Sequence, residues 1–256
     1  LDLQASEKLD VTIYGKILVD EMCEKFRNLN KSTHLNSQEH RQARRSNLAA
    51  FIRQTAREAR EPFLRLSYKN ENFLDERKPD EEIACFALKV ESGFTKNLAK
   101  SDLDLLYEQE DLSSRTKKVI SQIMKDYMKI SDSLSTPLST KLGKGKTQSL
   151  FEMLRIAYAS GYAIKNYQSF FNWFLKKDIE LIQSSKDVTE KELEEKSYTH
   201  WCGRYTRKAF YCKISDVLRI CFESAVFELE KEGIIARTRD PKEVFSHDQK
   251  MELLTL

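Results

Sequence analysis

Apolar residues return at three- and four-residue steps through most of the chain, the spacing that gathers side chains on one face of an α-helix. Near the N-terminus Tyr14, Leu18, Met22, Phe26 and Leu29 keep that step and predict a helix over about Glu7–Leu29, although Val11-Thr12-Ile13-Tyr14 also fits a short strand. Ser37 or Ser46 opens a second helix on Leu48, Phe51, Ile52, Thr55 and Ala59, which Pro62 closes. Leu64, Leu66 and Tyr68 then alternate with polar residues, a strand-like pattern. Pro79 followed by Asp80-Glu81-Glu82 reads as a helix's first turn, because carboxylates favour the positive end of the dipole. Ile83, Phe86, Ala87, Val90, Phe94 and Leu98 form its expected buried stripe. A short helix over Ser101–Leu112 and a longer one over Ser114–Ile130 follow.

Ser131–Gln148 is the single low-complexity run and is expected to be a flexible linker or exposed loop. Beyond it, Ser149 and Glu152 form a capping box before the apolar run Leu150, Phe151, Leu154, Ile156, Ala157 and Tyr158. Asn166 caps a helix carrying Phe170, Phe171, Trp173, Phe174, Ile179, Leu181 and Ile182. A helix from Thr189, boxed by Glu192, places Tyr198, Trp201, Cys202, Tyr205, Ala209 and Cys212 on one face and Arg204, Arg207, Lys208 and Tyr211 on the other, with a possible break at Gly203. The last helix runs from Ser215 to Gly233 and is apolar almost all round, so it is expected at the centre of the C-terminal core. Ile234–Arg237 suits a short strand, Asp240-Pro241 a turn, and Met251–Leu254 a last apolar turn. The fold class is therefore all-α with one or two short strands, a two-lobed helical bundle: an N-terminal lobe over residues 1–130, a connection over 131–148 and a C-terminal lobe over 149–256.

Composition supports this picture. The chain has 256 residues, 40% of them hydrophobic, with only 7 Gly and 4 Pro, which suits long helices rather than a turn-rich β fold. No apolar run reaches the ~18 residues of a membrane span, so no membrane partner is expected. No charged-then-apolar leader opens the chain, and because Leu1 is not a start methionine, residues are expected to precede it. Cys23, Cys85, Cys202, Cys212 and Cys221 are odd in number and scattered, which reads as reduced thiols in an intracellular protein, cytoplasmic or nuclear.

The net charge of +3 decides little, but its distribution is uneven. Ser37–Lys69 holds eight Lys and Arg against three Asp and Glu, whereas Asn70–Arg115 holds six against twelve. Thr116–Gln148 and Trp201–Arg219 are again basic, and in the second of these aromatics interleave with the cations. Cations neutralise phosphates and exposed aromatics stack on bases, so this pattern points to nucleic-acid binding without sequence readout. The expected contacts are Arg53, Arg57, Arg60, Arg204, Arg207, Lys208 and Tyr211, brought to one hollow by the two Arg-bearing helices. The competing reading makes the same charges solvated helix faces of a protein–protein module, an adaptor, regulator or effector whose partner presents an acidic surface. A winged-helix tail would need a polar outward face on the Ser215 helix, which has almost none before Glu223.

Other chemistry finds less support. His200 with Cys202, Cys212 and Cys221 lacks the paired spacing that fixes a zinc site, so neither metal nor cofactor is expected. Gly145-Lys146-Thr147 ends like a phosphate loop, but the earlier glycine it needs is Thr140 and no strand precedes it. The carboxylates of Asp102–Asp111 read as solvated faces or helix starts, and no Ser, Cys or His sits in a nucleophile setting. The expectation is a binding protein rather than an enzyme, with no catalytic residue assigned.

Overall fold

The computed structural model describes residues 21–22, 25, 37–70, 72, 77–184 and 198–238. Within them the fold is all-α apart from one two-stranded ribbon. Ten helices are described: α1 Ser37–Gln42, α2 Asn47–Glu58, α3 Arg60–Leu66, α4 Lys78–Glu91, α5 Lys100–Leu106, α6 Ser114–Ser133, α7 Gly143–Ala159, α8 Tyr167–Ser184, α9 Tyr198–Gly203 and α10 Lys208–Lys231. Strands β1 (Tyr162–Ile164) and β2 (Ile235–Arg237) pair antiparallel, with Tyr162 opposite Arg237 and Ile164 opposite Ile235. The helix expected over Glu7–Leu29 lies almost wholly outside the described residues. So do the Thr189–Glu192 box, the Asp240-Pro241 turn and the Met251–Leu254 turn.

Several local signals act as their chemistry requires. Ser46 caps α2, its hydroxyl accepting from the Ala49 N–H, and Ser113 caps α6 by accepting from Thr116. The Asn166 side chain accepts from the Ser169 N–H at the head of α8. Gly233 ends α10 at φ +68°, the left-handed conformation that glycine enters without a Cβ penalty. Ile234–Arg237 supplies β2 as expected, whereas β1 falls within a stretch whose apolar spacing reads as helix.

Elsewhere packing overrides the pattern. Pro62 does not close a helix; it sits in the first turn of α3, where its missing N–H costs nothing. Ala59 and Phe63 keep helical hydrogen bonds across the single-residue break at Ala59, so the expected strand around Leu64–Tyr68 is instead mostly helical. Gly203 ends α9, and the chain turns through Arg204–Arg207 before α10 begins at Lys208, seven residues ahead of Ser215. Ser215 is consequently interior to α10, with its hydroxyl donating to Glu152.

The Ser131–Gln148 stretch, expected as a flexible linker or exposed loop, is a loop only between α6 and α7, where residues 135–137 and 139–140 are exposed. Both its ends are helical, and the residues between are fastened to α3: Leu138 and Leu142 donate to the carbonyls of Arg65 and Leu66, and Gly143 to that of Ser67. The buried apolar residues on either side belong to one contiguous core. At its centre is α7, every residue of which from Thr147 to Ala157 is buried, packed against α4, α6, α9, α10 and β1. Ser149 is interior there, donating back to the Gly145 carbonyl rather than opening the helix. By contrast α10 buries one stripe, Tyr211, Ile214, Leu218, Phe222 and Leu229, and leaves Ile220 59% and Phe227 72% exposed.

Candidate anion-binding groove

On α2, Leu48, Ala49, Ile52, Thr55 and Ala56 turn inward, so the residues that alternate with them face out. Arg53 and Arg57 are one helical turn apart on that outer side, and the continued hydrogen bonding across Ala59 keeps Arg60 in line with them. The N-terminus of α4 meets this face. Arg77, at φ +58°, caps α4 without a side-chain bond, and Pro79 and Asp80 form its first turn. Together Arg53, Arg57, Arg60 and Arg77 line an open groove of about 380 Å³ with Ala56, Pro79 and Asp80.

These arginines differ in how much is free for a ligand. Arg53 is half-buried and donates to the Gln42 carbonyl at 3.0 Å and to its side-chain oxygen at 3.3 Å. Arg57 is exposed and has no hydrogen bond or ion pair with a described residue. Arg77 holds its Nη1 3.9 Å from Asp80 Oδ1, too far for a hydrogen bond. Asp80 is only 4% exposed, and its Oδ1 has no hydrogen-bond partner. Burial pushes its carboxyl up to about 6, against the pull of Arg77, its own backbone N–H and Arg53. Among the described residues the lining carries four guanidinium groups and one carboxyl, and the positive end of the α4 dipole lies beside them.

The second expected group lies elsewhere. The turn carrying Arg204 and Arg207 is tied to the loop after α4: Leu98 N–H donates to the Thr206 carbonyl, and Lys208 N–H to Asn97 Oδ1. Arg207 and Lys208 are exposed, and Arg207 lines a separate opening with Asn97, Ala99, Thr206 and Ala209. Arg77 precedes the first residue of α4 and Asn97 follows its last, so the 14-residue helix, about 21 Å long, separates the two sets. The single hollow expected from the sequence is therefore not formed.

Tyr211 needs outright correction as a stacking platform. It is 3% exposed, its ring edge meets Phe94 at 6.0 Å, and its hydroxyl donates to the Lys96 carbonyl. The other aromatics of the segment are engaged by neighbouring side chains. Lys213 lies over Trp201 and Phe210, Arg207 over Phe210, and His200 meets Phe210 edge-on and contacts Arg204. The Asp102–Asp111 carboxylates are likewise in use: Asp104 binds Arg41, Asp111 binds Lys117 and Asp102 accepts from Ala99 N–H.

A buried polar network escaped the sequence reading. Lys89, 3% exposed, donates to Gln148 Oε1 at 2.8 Å, and its ammonium lies 5.4–5.7 Å from the rings of Phe86, Tyr205 and Tyr211. Gln148 in turn donates to Glu82 Oε2 at 2.6 Å, and Arg155 forms a bidentate pair with Glu152 at 2.7 and 2.9 Å. Burial pushes Glu82 up to about 7 and Lys89 below its usual value. Burial would also raise Glu152, but Arg155 and Ser215 overcome it and hold that carboxyl below its usual range. The cavity among Lys89, Gln148, Glu152, Tyr205 and Tyr211 has room for about one water, so the network joins α4, α7 and α10 rather than receiving a substrate. The available signal was a charge in an apolar stripe, since Lys89 follows Glu82 and Phe86 at seven- and three-residue steps.

Among the described residues no group of His, Cys, Asp and Glu is placed to hold a metal, and no helix is long and apolar enough to cross a membrane. Comparison with protein-family models, with curated proteins and with solved structures returned no match.

Proposed function

We propose that this chain is a helical nucleic-acid-binding protein that grips a phosphate backbone without reading its sequence, and that the groove at the α2–α3 face and the head of α4 does the gripping. The supporting observation is the convergence of Arg53, Arg57, Arg60 and Arg77 on one open groove, with Arg57 uncommitted to any described residue. Arg204, Arg207 and Lys208 then contribute to the general field beyond the far end of α4 rather than to the grip.

Fluorescence anisotropy with a labelled single-stranded oligonucleotide tests this. Three or four phosphate contacts at a slope near −0.7 each weaken binding roughly 20–50-fold as salt rises from about 50 to about 200 mM. Arg57→Glu should abolish most of the binding, whereas Arg204→Glu should change it only a few-fold. Absence of binding at about 50 mM salt would overturn the proposal.

A protein–protein module remains the second reading, favoured by Ile220 and Phe227, one above the other on the outer face of α10. Its mark is a partner or second copy whose binding is lost in Phe227→Ser and retained in Arg57→Glu.

A further inference from the structure

Resting on the protein–protein reading of α10, we infer that its outer face docks a second copy of this chain, antiparallel about a two-fold axis level with Glu223 and Ser224. The inward stripe of Tyr211, Ile214, Leu218, Phe222 and Leu229 fixes the orientation of the helix, and at about 100° per residue Ile220 and Phe227 lie directly opposite it. Among the described residues these two are the most exposed large hydrophobics, at 59% and 72%. They stand two turns apart on one line of the helix. Lys213, Asp216 and Lys231 share that face, and all three are exposed.

The charges choose the occupant and its direction. Asp216 lies four residues before Ile220 and Lys231 four residues after Phe227, so reversing the helix exchanges one for the other. A parallel copy would set Asp216 against Asp216 and Lys231 against Lys231. An antiparallel copy sets Ile220 against Phe227 and Asp216 against Lys231, each twice by symmetry. Lys231 has no hydrogen bond or ion pair with a described residue, and Asp216 meets Arg219 at 3.7 Å, too far for a hydrogen bond. Glu223 comes near its own copy beside the axis, but it is already paired with Arg219 of its own helix at 3.2 Å. One helical seam buries less than the ~800 Å² per partner of a standard interface, so the Kd belongs on the order of 10–100 µM. At the low-micromolar concentrations of a spectroscopic melt the monomer therefore dominates.

Sedimentation equilibrium of the full chain from about 5 to about 500 µM tests this. The parent should follow a monomer–dimer equilibrium, which Phe227→Ser should weaken by at least about tenfold. Asp216→Lys and Lys231→Asp should each weaken it about 3–10-fold, and the two together should restore it, because the pair is then only exchanged. Ser224 lies beside the axis, where helices about 8–10 Å apart bring its Cα and that of its copy within the ~4.4–6.8 Å that a disulfide spans. Ser224→Cys should therefore cross-link under mild oxidation faster than the parent, whereas Glu228→Cys, on the flank, should not. A chain that stays monomeric to about 500 µM would overturn this inference, and the protein–protein reading would outlive it only through a different partner whose binding is lost in Phe227→Ser. A dimer unchanged by Phe227→Ser would overturn the assignment to this face. Failure of the double charge exchange to restore association, or no gain of Ser224→Cys over Glu228→Cys, would overturn the antiparallel pairing.

Discussion

Two Gly-to-Ala substitutions, identical in chemistry, should shift stability in opposite directions. Gly145 lies in the first turn of α7, and a Cβ placed there would be 2.3 Å from the Cys202 carbonyl oxygen and 2.9 Å from its carbon. These are backbone atoms at the end of α9, so no side chain can swing aside, and α9 must retreat from α7 by about 1 Å to restore ordinary contact. Overpacking of that kind costs about 1–3 kcal/mol, while the better helix propensity of Ala returns at most ~1 kcal/mol. A net loss of about 1–2 kcal/mol follows, which at this chain length lowers Tm by roughly 2–8 °C. Gly203, by contrast, has nothing within 4 Å of its would-be Cβ, so Gly203→Ala should gain about 0.4–1 kcal/mol by restricting the unfolded chain. Thermal melts followed by circular dichroism at 222 nm, paired with urea titrations, would measure both. A Gly145→Ala protein as stable as the parent would refute the close approach of α9 to α7, as would a Gly203→Ala protein that loses as much as Gly145→Ala.

The buried network makes two further predictions, and the outer face of α10 a third. Glu82 has its carboxyl raised from 4.5 to about 7, so the folded state holds the proton more tightly than the unfolded chain. Stability from this group is therefore fully present below about pH 4.5 and is lost as pH rises to about 7, on the order of 3 kcal/mol in total. Urea titrations across that window should show Glu82→Gln losing less stability with rising pH than the parent, and parallel curves would refute the burial of an ionisable Glu82. Arg155→Met leaves Glu152 a buried charge without its bidentate partner and should cost about 3–5 kcal/mol, whereas the double change Glu152→Leu with Arg155→Met should recover much of it. A single change costing under ~1 kcal/mol would place that pair in solvent instead. On the outer face of α10, Ile220→Ser and Phe227→Ser should each stay within about 0.5 kcal/mol of the parent in the same assay, because those side chains are already exposed.

Local chemistry written in the chain decided the class of fold and most helix starts. Three- and four-residue spacing made the helices, Ser46, Ser113 and Asn166 began three of them, and Gly233 ended α10, because capping and handedness depend on neighbours within a turn. The Arg53–Arg57–Arg60 face was legible for the same reason, being one side of a single helical run. Distance along the chain hides everything else. Gly145 reads as loop chemistry until α9 arrives from over fifty residues away, and the apolar α10 reads as a core helix until α7 takes the centre. Arg77 joins the groove, and Tyr211 leaves the surface, through contacts between segments that no periodicity relates. Whether a charge is offered to a ligand or buried in a network depends on which surface lands against it, and only the packed structure decides that.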